Sequence, residues 1–306
     1  APEQAALWRS RPVRGAVGIV YVPETQLMTY AQQGNTSFYA QSTQGAYRGF
    51  LRNNIQADWV HIQDIAAYRL LYLPFPFMLS RETADRLRDW VAQGGTLVCE
   101  GCPAYFGQDG HVGTVQPNYG LDELFGARES YVEFTPDLLG DLRMNLSGTP
   151  AWGGLFLQAY QPTTGTAVGW YEDGQVAVVD NHYGQGQTRL IGTMAGAGYA
   201  AHGAAGGHGP DGPAPFFAQV LALGGVEQHV TCSDPSVLGR LHSGAGGDYL
   251  WVANPTRQAR PVRLRLGAAW GPYGSVRPLW GAEASLAGPW VTLVAPARDV
   301  CVLALS

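Results

Sequence analysis

Residues 68–110 read YRLLYLPFPFMLSRETADRLRDWVAQGGTLVCEGCPAYFGQDG. The run LLYL at 70–73 is apolar throughout, as expected of a strand covered on both faces of a parallel sheet. Ser80, with Glu82 and Thr83 behind it, marks a helix start, and Ala84, Leu87, Trp90 and Val91 then recur at helical spacing. Gly94 and Gly95 stop that helix, and TLVC at 96–99 is a second buried strand. Strand, helix and strand in this order make one right-handed βαβ unit of a doubly wound sheet. Ligands bind beyond the carboxyl ends of the strands in such sheets, so the loop after Val98 is the first place to look for chemistry.

The surrounding sequence extends the same pattern. Residues 16–22 are another apolar, β-branched run that ends at Pro23, read as a strand-to-loop exit. Residues 43–54 carry Ala46, Phe50 and Leu51 at helical spacing, and 57–62 give a short strand. Residues 101–148 read as long and mostly irregular, with one short helix at 120–125, and a connection of that length is more often functional or interfacial than idle. Residues 165–191 alternate around Asp173-Gly174 and Gly184-Gln185-Gly186, which predicts hairpins. AHGAAGGHGPDGP at 201–213 reads as a flexible loop before a last helix at 214–223. From Val237 onward short β-type runs are separated by Gly, Pro and Asn turns, the signature of an antiparallel sandwich. The reading is therefore an α/β, flavodoxin-like doubly wound domain over residues 12–230, followed by a small all-β sandwich over 231–306.

Composition narrows the function. With 306 residues and 46% apolar content the chain is long enough for two cores, and a net charge of -5 without any basic run lacks the electrostatic footprint of a nucleic-acid binder. All 19 basic residues are arginine, so no Schiff-base lysine is available. No stretch reaches the roughly 20 apolar residues of a membrane span, so neither nucleic acid nor membrane is expected as a partner and a cytoplasmic location is. The four cysteines, Cys99, Cys102, Cys232 and Cys301, are too few and scattered for a disulfide framework. Cys99 and Cys102 form a CxxC, but no second ligand pair stands near it, so neither metal nor cofactor is expected.

YLPFPFMLSRETADRLRDWVAQGGTLVCEGCPAYF, followed by GLDELFGARE, resembles the trimerisation domain that follows the catalytic barrel in glycoside hydrolase family 42 β-galactosidases, and the tail from Val237 resembles the small all-β domain that closes those chains. The resemblance covers nearly the whole sequence. It implies a homo-oligomer, a trimer, with a galactoside as the substrate of the assembled enzyme. In that family the barrel carries the two catalytic carboxylates, about 5 Å apart in a retaining enzyme. This chain starts where such a barrel would end, so no carboxylate pair carries over to any of its positions. The expectation is a non-catalytic portion that forms the oligomer and walls the active site. A free-standing esterase or amidase with its site near Cys99, and a carbohydrate-binding module, are the alternatives.

The same domain resembles the class I glutamine amidotransferase fold, whose nucleophilic cysteine sits at a sharp turn after a strand in a pattern like G-I-C-x-G. LVCEG places Cys99 at that elbow, where a helix N-terminus and free backbone N–H groups would activate a thiol. The resembling fold supplies base and orienter as His-Pro-Glu after its last strand, whereas LIGTMAGAG here has Met194, Ala195 and Gly196. His202 or His208 would have to fold back to replace them. Cys102 is expected to be more exposed than Cys99, and Glu100 to pair with a nearby arginine unless desolvated into a general acid. Asp109 and His111 either line a sugar pocket or make turns. Trp152, Trp170, Tyr160, Tyr171, Trp8 and Tyr30 are candidate ligand or interface residues, since aromatic faces serve both purposes.

Overall fold

The computed structural model describes residues 2–134, 142–206 and 214–306. The chain divides into two compact units, one of Val17–Gly49 and Asp58–Val226, the other of Ala1–Ala16, Phe50–Ala57 and Glu227–Ser306.

The first unit is built on one nine-stranded sheet. In chain order its strands are β1 (Val17–Tyr21), β2 (Ala57–His61), β3 (Leu70–Leu73), β4 (Thr96–Cys99), β5 (Leu142–Leu146), β6 (Thr149–Gly153), β7 (Thr166–Tyr171), β8 (Val176–Tyr183) and β9 (Gly186–Ile191). Their spatial order is β2-β1-β3-β4-β9-β8-β7-β5-β6. The pairs β1/β3, β3/β4 and β4/β9 are parallel, and from β9 outward the sheet turns antiparallel. β3 and β4 are buried at every residue, which is why they read as unbroken apolar runs.

Four helices matter for the site: α1 (Pro23–Gln33), α2 (Ser37–Arg52), α3 (Arg81–Ala92) and α4 (Ala195–Gly206). Helix α3 begins as the sequence predicts, with the Ser80 hydroxyl accepting the Thr83 N–H at 3.1 Å, a cap worth ~1 kcal/mol. Its Ala84, Leu87 and Val91 pack with Leu71, Leu97 and Leu190 of the sheet.

Three local expectations need correction. Pro23 does not lead into a loop but occupies the first turn of α1, where its missing N–H has no partner to lose. The segment 101–148 is less irregular than expected, because Ala127–Glu133 pairs antiparallel with Leu157–Pro162 as a two-stranded ribbon. Residues 201–206, read as flexible, belong to α4; 207–213, including His208, lie outside the described residues.

The second unit holds a five-stranded and a four-stranded sheet. Arg260–Leu266 shows the alternation that one buried face demands: Val262, Leu264 and Leu266 are buried, Arg263 and Arg265 exposed. Leu241, Leu250 and Leu303 of one sheet share a core with Val262, Leu264 and Val291 of the other. Gln56, from the short segment Phe50–Ala57, donates its amide to the carbonyls of Val230 and Gly239 at 3.0 and 3.1 Å. Among the described residues no helix is long and apolar enough to cross a membrane.

Candidate functional site

The parallel strands point their carboxyl ends at the turn Cys99-Glu100-Gly101-Cys102. Cys99 is fully buried, and its thiol is placed to donate to the Glu100 carbonyl at 3.2 Å. Burial, then the Glu100 carboxylate, push the thiol well above its ordinary range, the reverse of what a thiolate nucleophile needs. No helix follows the turn to supply N-terminal N–H groups; bends and turns run from Gly101 onward, with Cys102 and Ala104 both in left-handed conformation. The strained φ of a nucleophile elbow therefore falls on Cys102 (φ 58°), not on Cys99.

Cys102 is also fully buried, contrary to the expectation that it would be the more exposed of the two. It belongs to one buried cluster with Tyr39, Phe75, Phe156 and Met194, and burial followed by the charge of Glu129 raises its pKa too. Its N–H donates to Gln158 Oε1 at 2.7 Å. Among the described residues no imidazole hydrogen-bonds either sulfur.

Glu100 is the chemical centre of the turn. Its side chain is completely buried and has no arginine partner. Oε1 accepts from the Tyr72 hydroxyl at 2.9 Å and the Gly196 N–H at 2.7 Å, while Oε2 accepts from the Phe75 N–H at 2.9 Å and from the Ser42 hydroxyl. Desolvation outweighs these four donors and raises the carboxyl to about 7. The carboxylate ties together β3, the loop after it, α2 and the first turn of α4. Gly45 and Gly196 allow this approach: a Cβ on Gly45 would lie 1.8 Å from the Gly196 carbonyl oxygen. Met194 and Gly196, at the His-Pro-Glu positions, are respectively buried beside Cys102 and bonded to Glu100.

His202 lies on α4 with its ring edge-on to Trp152, centroids 4.8 Å apart, and the Arg143 guanidinium is 5.4 Å from the Trp152 ring. The structure thus brings His202 together with Trp152 and leaves Cys99 with Glu100. Tyr160 is buried and donates to Gln158 Oε1 at 2.5 Å; Gln158 Nε2 in turn donates to Glu129 Oε2 at 2.7 Å. Burial raises the pKa of half-buried Glu129, with the Gln158 bond opposing. Trp170 is 43% exposed on β7. Asp109 and His111 are exposed on a turn closed by the Gly110 N–H to the Gly107 carbonyl and the Gly107 N–H to the His111 carbonyl, both 2.9 Å.

Beside Glu100 opens a cavity of about 460 Å³. Phe75, held by its N–H on Glu100 and left-handed at φ 45°, forms part of the wall with Phe77, Tyr105, Phe106, Phe134 and Phe156. Gln32, Gln33 and Val132 also line it. The sequence reading singled out none of these residues, nor Ser42 or Gln158. The PFPF run at 74–77 was the available signal. Among the described residues no cluster of three His, Cys, Asp or Glu side chains could hold a metal.

Residues 15–202 match the family model described as "Beta-galactosidase trimerisation domain". The chain belongs to that family. Its curated relatives include the β-galactosidase BbgII of Bifidobacterium bifidum, 26% identical over 203 residues, and GalA of Bacillus licheniformis, 37% identical over 86. These alignments cover 62% and 27% of this chain but only 30% and 13% of the relatives. The β-galactosidase of Bacillus circulans sp. alkalophilus superposes on the whole chain with a TM-score of 0.76 at 19% identity, and the chain spans 44% of that enzyme's length. Family members thus share this mixed α/β fold with a β-rich carboxy-terminal region over less than half of a longer polypeptide.

Proposed function

We propose that the chain serves as the non-catalytic, oligomer-forming portion of a β-galactosidase-like glycoside hydrolase, and that it walls the active site in which a galactoside is cleaved. The observation that carries this reading is the sealed strand end. The position where an amidotransferase-like fold would display a nucleophile holds two buried, protonated sulfurs and a carboxylate engaged by four internal donors. Such a turn organises the fold and offers nothing to a substrate.

The order β2-β1-β3-β4-β9, parallel from β1 through β9, supports a flavodoxin-like, class I glutamine amidotransferase-like assignment for residues 12–230, with a β-sandwich over 231–306. Self-association is supported by α1, which buries Thr25 and Thr29 and turns Leu27 and Tyr30, 70% and 60% exposed, outward on one face. The assembly is a homotrimer of the kind the family is named for. It works in the cytoplasm, where its four free cysteines stay reduced.

Sedimentation equilibrium of the chain tests the proposal. The expected species has the mass of three chains. A monomer at every concentration, or hydrolysis of simple esters that disappears in Cys99→Ala, overturns it.

A further inference from the structure

We infer that the aromatic cavity beside Glu100 is a binding site for a small, uncharged, planar ring compound of the phenol class. The inference is independent of the oligomeric reading. At about 460 Å³ the cavity falls within the range of pre-formed small-molecule sites, roughly 300–1,000 Å³. Its walls are already in place. Phe75, Phe77 and Phe156 are at most 7% exposed, and Phe77 packs on Phe156 with centroids 5.0 Å apart. Phe77 stacks on Tyr105 at 5.7 Å and 5°, and Phe134 on Phe156 at 4.5 Å and 25°. These contacts, with the Glu100 bond on the Phe75 N–H, hold the lining rings in fixed stacked and tilted pairs, and aromatic rings present both faces and edges that an aromatic guest packs against.

The polarity of the lining selects among guests. Among the described residues no charged side chain contributes to it, so an anionic or cationic ligand would find no counter-charge on them. Among the described lining residues the polar side chains are those of Gln32, Gln33 and Tyr105. A pyranose carries hydroxyls around its whole rim, and each one buried without a partner costs about 1–3 kcal/mol. A phenol has one hydroxyl to place, which a glutamine amide can meet, and two faces for the phenylalanines.

Calorimetric titration of the whole chain with p-cresol tests this, with benzoate and methyl β-galactoside as the charged and sugar comparators. The expected result is saturable binding of p-cresol at one site per chain, at least tenfold weaker binding of benzoate, and no saturation by the galactoside in the same range. Phe134→Ala removes a half-exposed wall and should weaken p-cresol about two- to tenfold, the worth of one aromatic pair. Val132→Trp, at a half-buried lining position, fills the space and should abolish binding while circular dichroism and the melting temperature stay near those of the parent. Failure of p-cresol to saturate the parent chain overturns the inference, as does undiminished binding in a folded Val132→Trp chain or preference for the galactoside.

Discussion

Replacing Glu100 by glutamine should flatten the acid side of the chain's stability profile. The folded-state carboxyl titrates at about 7 against 4.5 unperturbed, a difference of ~3 kcal/mol in proton affinity. Because the folded value is the higher one, this contribution is fully present below pH 4.5 and is lost as pH rises through 7. The parent chain should therefore lose ~3 kcal/mol between about pH 4.5 and 8, a direction opposite to that of salt-bridged carboxylates. Glutamine cannot ionise, so Glu100→Gln should show no such loss. It has its own cost. Oε1 and Oε2 each accept one backbone N–H, from Gly196 and Phe75, and a glutamine amide offers only one oxygen. One N–H then faces an NH2, worth about 1–3 kcal/mol. The variant should be less stable than the parent near pH 5, with the gap closing toward pH 8. Urea unfolding followed by tryptophan fluorescence at fixed protein concentration reads this directly. Both proteins should carry Glu129→Gln, because half-buried Glu129 shifts in the same direction. Equal pH slopes in the two proteins, or a parent chain that gains stability toward pH 8, would refute the reasoning.

Two further outcomes follow from the packing. Gly45→Ala should destabilise the chain by about 3 kcal/mol or more, since its Cβ would sit 1.8 Å from the Gly196 carbonyl oxygen and neither helix can yield without straining the Glu100 bonds; a melting curve unchanged from the parent would contradict this. Leu27→Asp combined with Tyr30→Asp should lower the sedimenting mass while leaving circular dichroism unchanged, because both side chains are largely exposed on α1; an unaltered mass would exclude this face from the interface.

The βαβ unit was legible because its signals are local: an N-cap serine, helical apolar spacing and two unbroken apolar strands. Helix α1 was not, since its outward residues Leu27 and Tyr30 are the apolar ones while Thr25 and Thr29 face inward, the Thr25 hydroxyl donating to the Met78 carbonyl at 2.7 Å. The strand Ala127–Glu133 lacks alternation because most of it is not buried, and its partner Leu157–Pro162 is distant in sequence. The Gly-rich end of α4, residues 201–206, reads as loop although it is helical, and nearer its start the helix uses glycine for close packing: a Cβ on Gly198 would lie 2.6 Å from the Gly153 nitrogen. At the site, LVCEG located the turn, but burial is a tertiary property. Nothing near Glu100 in sequence announces Ser42, Tyr72, Phe75 and Gly196 as its partners.

The account rests on a strand end that holds the fold together instead of reacting, and the rates at which the sulfurs are alkylated measure that property. Iodoacetamide labelling of the folded chain near neutral pH, read by mass spectrometry of its peptides, should modify half-buried Cys232 first and leave Cys99 and Cys102 untouched until the chain is unfolded. Labelling of Cys99 or Cys102 in the folded chain as fast as Cys232, or faster, would contradict it.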